Sequence, residues 1–191
     1  MISFIVPVYN RPQEVKELLE SFLTQESTPL DYEVVVVEDG STLPCREVCE
    51  SYADKLPVRY LCQSNTGPSG ARNYGAKAAQ GDIFLFLDSD VELPPSYLST
   101  LALDIERRPV DLFGGPDAAK EDYTVTQRAI SYAMTSFFTT GGIRGGRKDQ
   151  PLDKFYPRTY NMGVTRTAYE AVNGFRQDLR YGEDIDFSLR V

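Results

Sequence analysis

"GDIFLFLDSDVELPP", residues 81–95, decides the fold. Ile83 to Leu87 is an unbroken apolar run, which reads as a strand buried on both faces. The run ends in two carboxylates one residue apart, Asp88 and Asp90. In extended backbone their side chains project to the same side. Two negative charges at the mouth of an apolar strand cost free energy unless something positive meets them.

Working outward, the same kind of strand recurs. "ISFIVPV" (2–8), "EVVVV" (33–37) and the shorter "VRYLC" (58–62) are continuous rather than alternating, and "VDLFGG" (110–115) is strand-like. Helical patterns separate them. After Pro12, residues Val15, Leu18, Leu19, Phe22 and Leu23 keep one-face spacing. Residues 45–56 place Val48, Tyr52 and Leu56 on one side. "SGARNYGAKAAQG" predicts a helix starting near Ser69 whose small residues allow close approach to a sheet, and a further helix is expected near 95–107. Strand–helix–strand units with continuous apolar strands predict an α/β, Rossmann-like fold: a mostly parallel central sheet with helices on both faces.

The character changes after residue 115. Residues 126–138 are helix-like, and "TTGGIRGGRKDQP" opens a glycine-rich loop at about 139–150, which reads as a lid closing over substrate or as a plain connection. "YNMGVT" (160–165) reads as a strand, "RTAYEAVNGF" (166–175) as a short helix, and "GEDIDFSLRV" (182–191) as a final helix. Residues 1–115 and 116–191 are therefore expected to be two parts of a single domain. Further sequence is expected beyond Val191, where membrane association would reside.

Composition narrows the chemistry. The chain has 191 residues, 41% hydrophobic and 25% charged, with a formal net charge of −8. That charge argues against a nucleic-acid partner. Three cysteines without paired spacing point to a reducing compartment, so a cytoplasmic protein is expected, peripheral at the inner membrane face if anchored. There is no histidine. Ser-His-Asp and Cys-His catalysis and imidazole bases are excluded, leaving carboxylates, a hard metal ion and basic side chains.

In open parallel sheets, ligands bind beyond the carboxyl ends of the strands. Here those ends carry Tyr9-Asn10-Arg11, Glu38-Asp39-Gly40-Ser41 and Asp88-Ser89-Asp90. Turn chemistry alone accounts for any one of them; three together read as a site. Carboxylate oxygens suit Mg²⁺ or Mn²⁺, with phosphates completing the shell, so a divalent cation is the expected positive partner of Asp88 and Asp90. The other reading makes Asp88–Asp90 a solvated, helix-capping turn. Gly67 and Gly70 precede a helix start able to attract an anion, and Arg72 in its first turn needs a partner elsewhere.

"FIVPVYNRP", "VVVVEDGS", "NTGPSGARNYGA", "FLFLDSD" and "VNGFRQDLRYGEDIDFSLR" stand in the order seen in family 2 nucleotide-sugar glycosyltransferases, which have the A-type glycosyltransferase fold. The resemblance is dense over 1–95, returns at 159–191 and is weak over 116–158. It implies nucleotide-lining roles for Pro7, Val8 and Tyr9, a base contact for Asp39, commonly to uracil, and support of base and diphosphate by Asn65 and Arg72. Asp88 and Ser89 would lie by the ribose, with Asp88 near the metal and Asp90 its direct ligand. Asp184 would be the catalytic base, with Glu183 beside it. Asn161, Met162 and Gly163 would line the sugar and acceptor cleft. The implied reaction is metal-assisted, inverting transfer from a UDP-sugar to a carbohydrate, lipid or protein acceptor hydroxyl, as in polysaccharide biosynthesis.

Three other readings stay open. A sugar-phosphate nucleotidyltransferase would carry a glycine-rich basic loop where "YNRPQE" stands and would release pyrophosphate. A glycoside hydrolase would need two opposed carboxylates. A non-catalytic nucleotide-binding fragment of a larger synthase would bind without turnover.

Overall fold

The computed structural model describes residues 1–115, 124, 126, 156–179 and 181–191. In chain order the elements are β1 (Ile2–Val8), α1 (Pro12–Leu23), β2 (Tyr32–Asp39), α2 (Arg46–Tyr52), β3 (Val58–Gln63) and α3 (Gly67–Ala78). There follow β4 (Ile83–Leu87), α4 (Tyr97–Arg107), β5 (Leu112–Gly114), β6 (Asn161–Thr165), α5 (Arg166–Ala171) and α6 (Glu183–Arg190). Apart from residue 126, the helical pattern at 126–138 and the glycine-rich stretch at 139–150 lie outside the described residues.

One six-stranded sheet runs β3-β2-β1-β4-β6-β5. The pairs β1–β2, β1–β4 and β2–β3 are parallel, as continuous apolar strands require. The two outer ladders, β4–β6 and β5–β6, are antiparallel. Strand β6 therefore comes from late sequence yet sits inside the sheet, between β4 and β5. The two parts of the chain share this sheet.

Both faces are covered. Alternate residues of β1 and β4 divide between two cores. Phe4, Val6, Leu85 and Leu87 pack with Leu18, Phe22 and Leu98 on one side. Phe84 and Phe86 pack with Met162, Phe175 and Phe187 on the other. Helix α3 lies flat on the sheet because its inner face is small: a Cβ added at Gly75 would stand 2.6 Å from Ile5 Cγ2 and 2.9 Å from Val37 Cγ2. It begins at Gly67, two residues earlier than its spacing predicts, because Gly67 takes φ +82° and Pro68 fits the first turn.

A polar knot pins the end of α3 to the sheet. Buried Glu33 accepts hydrogen bonds from Ser3 Oγ at 2.7 Å, the Gln80 N–H at 2.5 Å and Arg59 Nη1 at 2.8 Å. Burial pushes the Glu33 carboxyl upward, but those donors and the Arg59 charge outweigh it and hold the pKa below its ordinary value. A depressed pKa stabilises the fold above the unfolded-state value of about 4.3 and ceases to do so as pH falls through the folded value. Glu33→Gln is expected to lower unfolding free energy by about 2 kcal/mol at pH 7. It should also flatten the acid side of the stability profile below about pH 4, measured by urea unfolding across pH. An unchanged acid limb would contradict this.

Candidate active site

The strand ends meet in one place. A cavity of about 490 Å³ opens beyond the carboxyl ends of β1, β2 and β4, the size of a small-molecule site. Its wall contains Pro7, Val8, Tyr9, Arg11, Asp39, Asn65, Gly67, Pro68, Ala71, Arg72, Asp88, Ser89 and Asp90. All the nucleotide and metal candidates named from the sequence are thus brought together.

Two loops of the wall are tied by one side chain. Asn10 takes φ +56°, which asparagine tolerates better than most residues. Its Oδ1 accepts from the Thr42 N–H at 2.8 Å and the Leu43 N–H at 2.9 Å, and its own N–H donates to Ser41 Oγ at 2.7 Å. Ser41 in turn donates to the fully buried Glu38, which also accepts from the Cys45 N–H at 2.6 Å. Neighbouring Cys49, burial and Glu38 all push the Cys45 thiol upward, so it is an inert core thiol.

Asp39 organises the start of α3. Its Oδ1 accepts from the Thr66 N–H at 2.9 Å and Gln63 Nε2 at 2.7 Å, and its Oδ2 accepts from the Gly67 N–H at 2.9 Å. Asn65 Nδ2 donates to the Asp39 carbonyl at 2.8 Å. Each carboxylate oxygen has more than one lone pair, so Asp39 Oδ2 keeps acceptor capacity toward the cavity.

Arginines meet the carboxylates. Arg72, 4% exposed, donates through Nη2 to Asp88 Oδ1 at 3.1 Å and through Nη1 to Glu183 Oε1 at 3.3 Å. It therefore joins the strand-end cavity to α6. Its Nε is buried with no hydrogen-bond partner among the described residues. Arg11 Nη1 donates to Asp90 Oδ2 at 3.0 Å. Arg158 Nε stands 2.6 Å from Asp184 Oδ2, while Asp184 Oδ1 accepts from the Ile185 N–H at 2.9 Å. So three guanidinium groups meet four carboxylates, where the sequence led us to expect a divalent ion at Asp88 and Asp90. In the sequence Arg11 reads only as part of a polar strand end, without a role, and Arg158 does not read as a site residue at all. Both partnerships join residues far apart in the chain, although the fold class had already placed "YNR" and "DSD" at neighbouring strand ends.

Glu183 and Asp184 do not line the cavity; Glu183 is tied to it through Arg72, while Asp184 is paired with Arg158. Gly182, in the left-handed region at φ +75°, is the N-cap of α6, and Asp184 is 5% exposed.

Of the three cleft candidates on β6, Met162 and Gly163 need correction. Met162 is 0% exposed and packs in the core with Phe84 and Phe86, since it pairs across from Phe86 on the same face. At Gly163 the Phe113 ring fills the side-chain position, with ring atoms 2.1 Å from where a Cβ would sit. Neither can wall a cleft. Asn161, at the strand's start, remains partly buried and accepts a 2.6 Å hydrogen bond from Tyr97 Oη, whose pKa burial raises.

Among the described residues no group of three or more His, Cys, Asp or Glu side chains could hold a metal ion by itself. Nor is any helix among them long and apolar enough to cross a membrane.

Comparison with known proteins bears on this arrangement. Over 195 residues the chain is 28% identical to the glycosyltransferase EpsJ of Bacillus subtilis, covering 99% of this chain and 55% of that protein. Over 103 residues it is 37% identical to validoxylamine A glucosyltransferase of Streptomyces hygroscopicus, covering 53% of this chain and 23% of that one. The crystal structure of Staphylococcus aureus TarS 1–349 in complex with UDP superposes with a TM-score of 0.76 at 25% identity, over 98% of this chain and 54% of that one. The chain thus spans about half or less of the length of these relatives. The family model described as glycosyl transferase family 2 matches residues 3–172, and the chain belongs to that family.

Proposed function

We propose that the chain is the donor-binding and catalytic part of an inverting glycosyltransferase that moves a sugar from a UDP-sugar to an acceptor hydroxyl. The observation that carries this reading is the gathering of Tyr9, Asp39, Asn65, Arg72, Asp88 and Asp90 around one cavity. TarS, which shares the fold over nearly the whole chain, is described in complexes with UDP and with UDP-GlcNAc.

In this reading residues 1–115 bind the donor and 116–191 the acceptor. Half-exposed Tyr9 and the Pro7–Val8 wall flank the nucleobase and ribose, and Asp39 accepts from the base through its remaining lone pair. Asn65 steadies the Asp39 turn, and Asp88 and Ser89 face the ribose. A divalent cation, Mg²⁺ or Mn²⁺, fits the donor set: Asp88 and Asp90 are hard oxygen ligands, partly exposed on one cavity wall. Two protein carboxylates are too few for a closed cage, and donor phosphates supply the other oxygens. Bound there, the cation would stabilise charge on the departing nucleoside diphosphate.

Asp184 takes the acceptor proton, with no histidine in the chain to do so. Arg158 fixes its orientation, and Glu183, held by Arg72, ties the base to the donor side. One base without a second nucleophile supports single displacement with inversion at the anomeric carbon. Asn161 is the one cleft candidate on β6 kept for the acceptor side.

The test is calorimetric titration of UDP with and without Mn²⁺. Wild type is expected to bind UDP about tenfold more tightly with the metal, an ordinary coupling between two ligands. Asp90→Ala should lose that increment and keep metal-free binding. Equal binding with and without metal in both proteins would remove the cation from the proposal, and no binding at all would remove the UDP-sugar.

A further inference from the structure

The Arg11–Asp90 pair is oddly placed for a surface ion pair. Arg11 occupies the N-cap position of α1, where the helix dipole disfavours a cation, and its side chain makes no cap hydrogen bond. Its backbone is not free to drift, because the preceding Asn10 is bonded to the loop after β2. From this fixed base the guanidinium reaches Asp90 on the cavity wall, at a sequence separation of 79 residues. Both partners are about half-exposed, at 48% and 55%. An exposed pair of this kind is weak and can open.

We propose that Arg11 is a gate on the cation position: it holds Asp90 while the cavity lacks donor, and it passes to the donor's diphosphate when a divalent ion takes the carboxylate. This deepens the donor-site reading above and rests on it. A free cation arriving alone must displace Arg11 and then sit beside its positive charge. A cation arriving with a nucleoside diphosphate brings the anion that Arg11 needs. A diphosphate brought by an ion held at Asp90 would come close to the Arg11 guanidinium, which now stands 3.0 Å from that carboxylate. Arg72 cannot take this part, because it is buried and committed to both Asp88 and Glu183. The consequence is positive coupling: cation and diphosphate each bind better in the other's presence. Arg11 is a positioning residue in this scheme, and the chemistry stays with the groups around it.

The test measures Mn²⁺ binding by electron paramagnetic resonance, with and without UDP, in wild type, Arg11→Gln, Arg11→Lys and Asp90→Ala. Circular dichroism checks that each variant is folded. Arg11→Gln is expected to bind Mn²⁺ alone about two- to fivefold more tightly, the range set by the small worth of an exposed pair. It should bind UDP in saturating Mn²⁺ about tenfold more weakly, from loss of a charge-assisted contact. Arg11→Lys, which keeps the charge, should retain most of the coupling. If Arg11→Gln leaves the coupling unchanged while Asp90→Ala abolishes it, the gate is refuted and the donor-site reading stands. If Asp90→Ala changes nothing, the gate falls and the cation leaves Asp90, while UDP binding alone decides the donor-site reading.

Discussion

Asp184→Asn is expected to lower the rate of sugar transfer by about 10³-fold, within the range for loss of a general base. UDP binding should stay within about twofold, because Asp184 lies outside the donor cavity wall and a change of 0.4 kcal/mol or less is all that distance leaves. The asparagine keeps the size of the side chain and an oxygen for the Ile185 N–H, so the start of α6 persists. It loses the charge facing Arg158 and the ability to accept the acceptor's proton. Rate and stability measured together separate the roles: removing the base should cut the rate with the fold's stability largely kept, whereas loss of a structural pair would lower stability with little loss of rate. A rate loss under tenfold would place the base elsewhere.

Replacing Arg72 by methionine should have the largest effect on the fold. The guanidinium is buried, it holds Asp88 at 3.1 Å and Glu183 at 3.3 Å, and removing it leaves Glu183 facing low-dielectric surroundings without its partner. Breaking a buried pair in this way is strongly destabilising. Because Asp88 is 42% exposed and rehydrates, the lower end, about 3 kcal/mol, is expected. For a chain of this size that is a fall in Tm of about 6–12 °C. Metal-dependent UDP binding should vanish in the same variant. Adding Glu183→Gln to Arg72→Met should recover part of the stability, since the unpaired charge is gone, but none of the binding. Recovery of both would mean that Arg72 acts only as a brace.

Much of this was legible in the residues. Continuous apolar runs without alternation require strands covered on both faces, and β1, β2 and β4 lie where those runs lie, while β3, with Arg59 inside it, is a half-buried edge strand. The polar residues that close β1, β2 and β4 were readable as one edge because parallel strands point the same way. Strand β6 was harder: "YNMGVT" can be read as a strand, but nothing in it says that it enters between β4 and β5. That position follows from pairing across a long intervening sequence, which local pattern does not encode. The facing of Met162 was lost for the same reason, since register decides which side chains enter the core. The arginine partners of Asp90 and Asp184 were hidden differently. A long side chain's partner is set by where two distant backbones come to rest, and charge at a strand end is equally well met by a metal, a guanidinium or water.

The insertion of β6 into the sheet bears on how the chain acquires its fold during synthesis. Strands β1, β2 and β3 follow one another and pair in that order, and β4 can join β1 as soon as it has emerged, since β1 is already made. The outer edge of β4 then stays open, an apolar strand offering unpaired N–H and C=O groups, until Asn161–Thr165 arrives. Such an edge invites pairing with other chains, and closing it is a long-range pairing of the same order as β1 with β4, hence slow. β5 is made earlier but bonds within the sheet only through β6, so it waits as well. Strand β6 is therefore a seal for a nascent sheet, and the donor-binding half stays exposed to misassociation until the acceptor-side half supplies it.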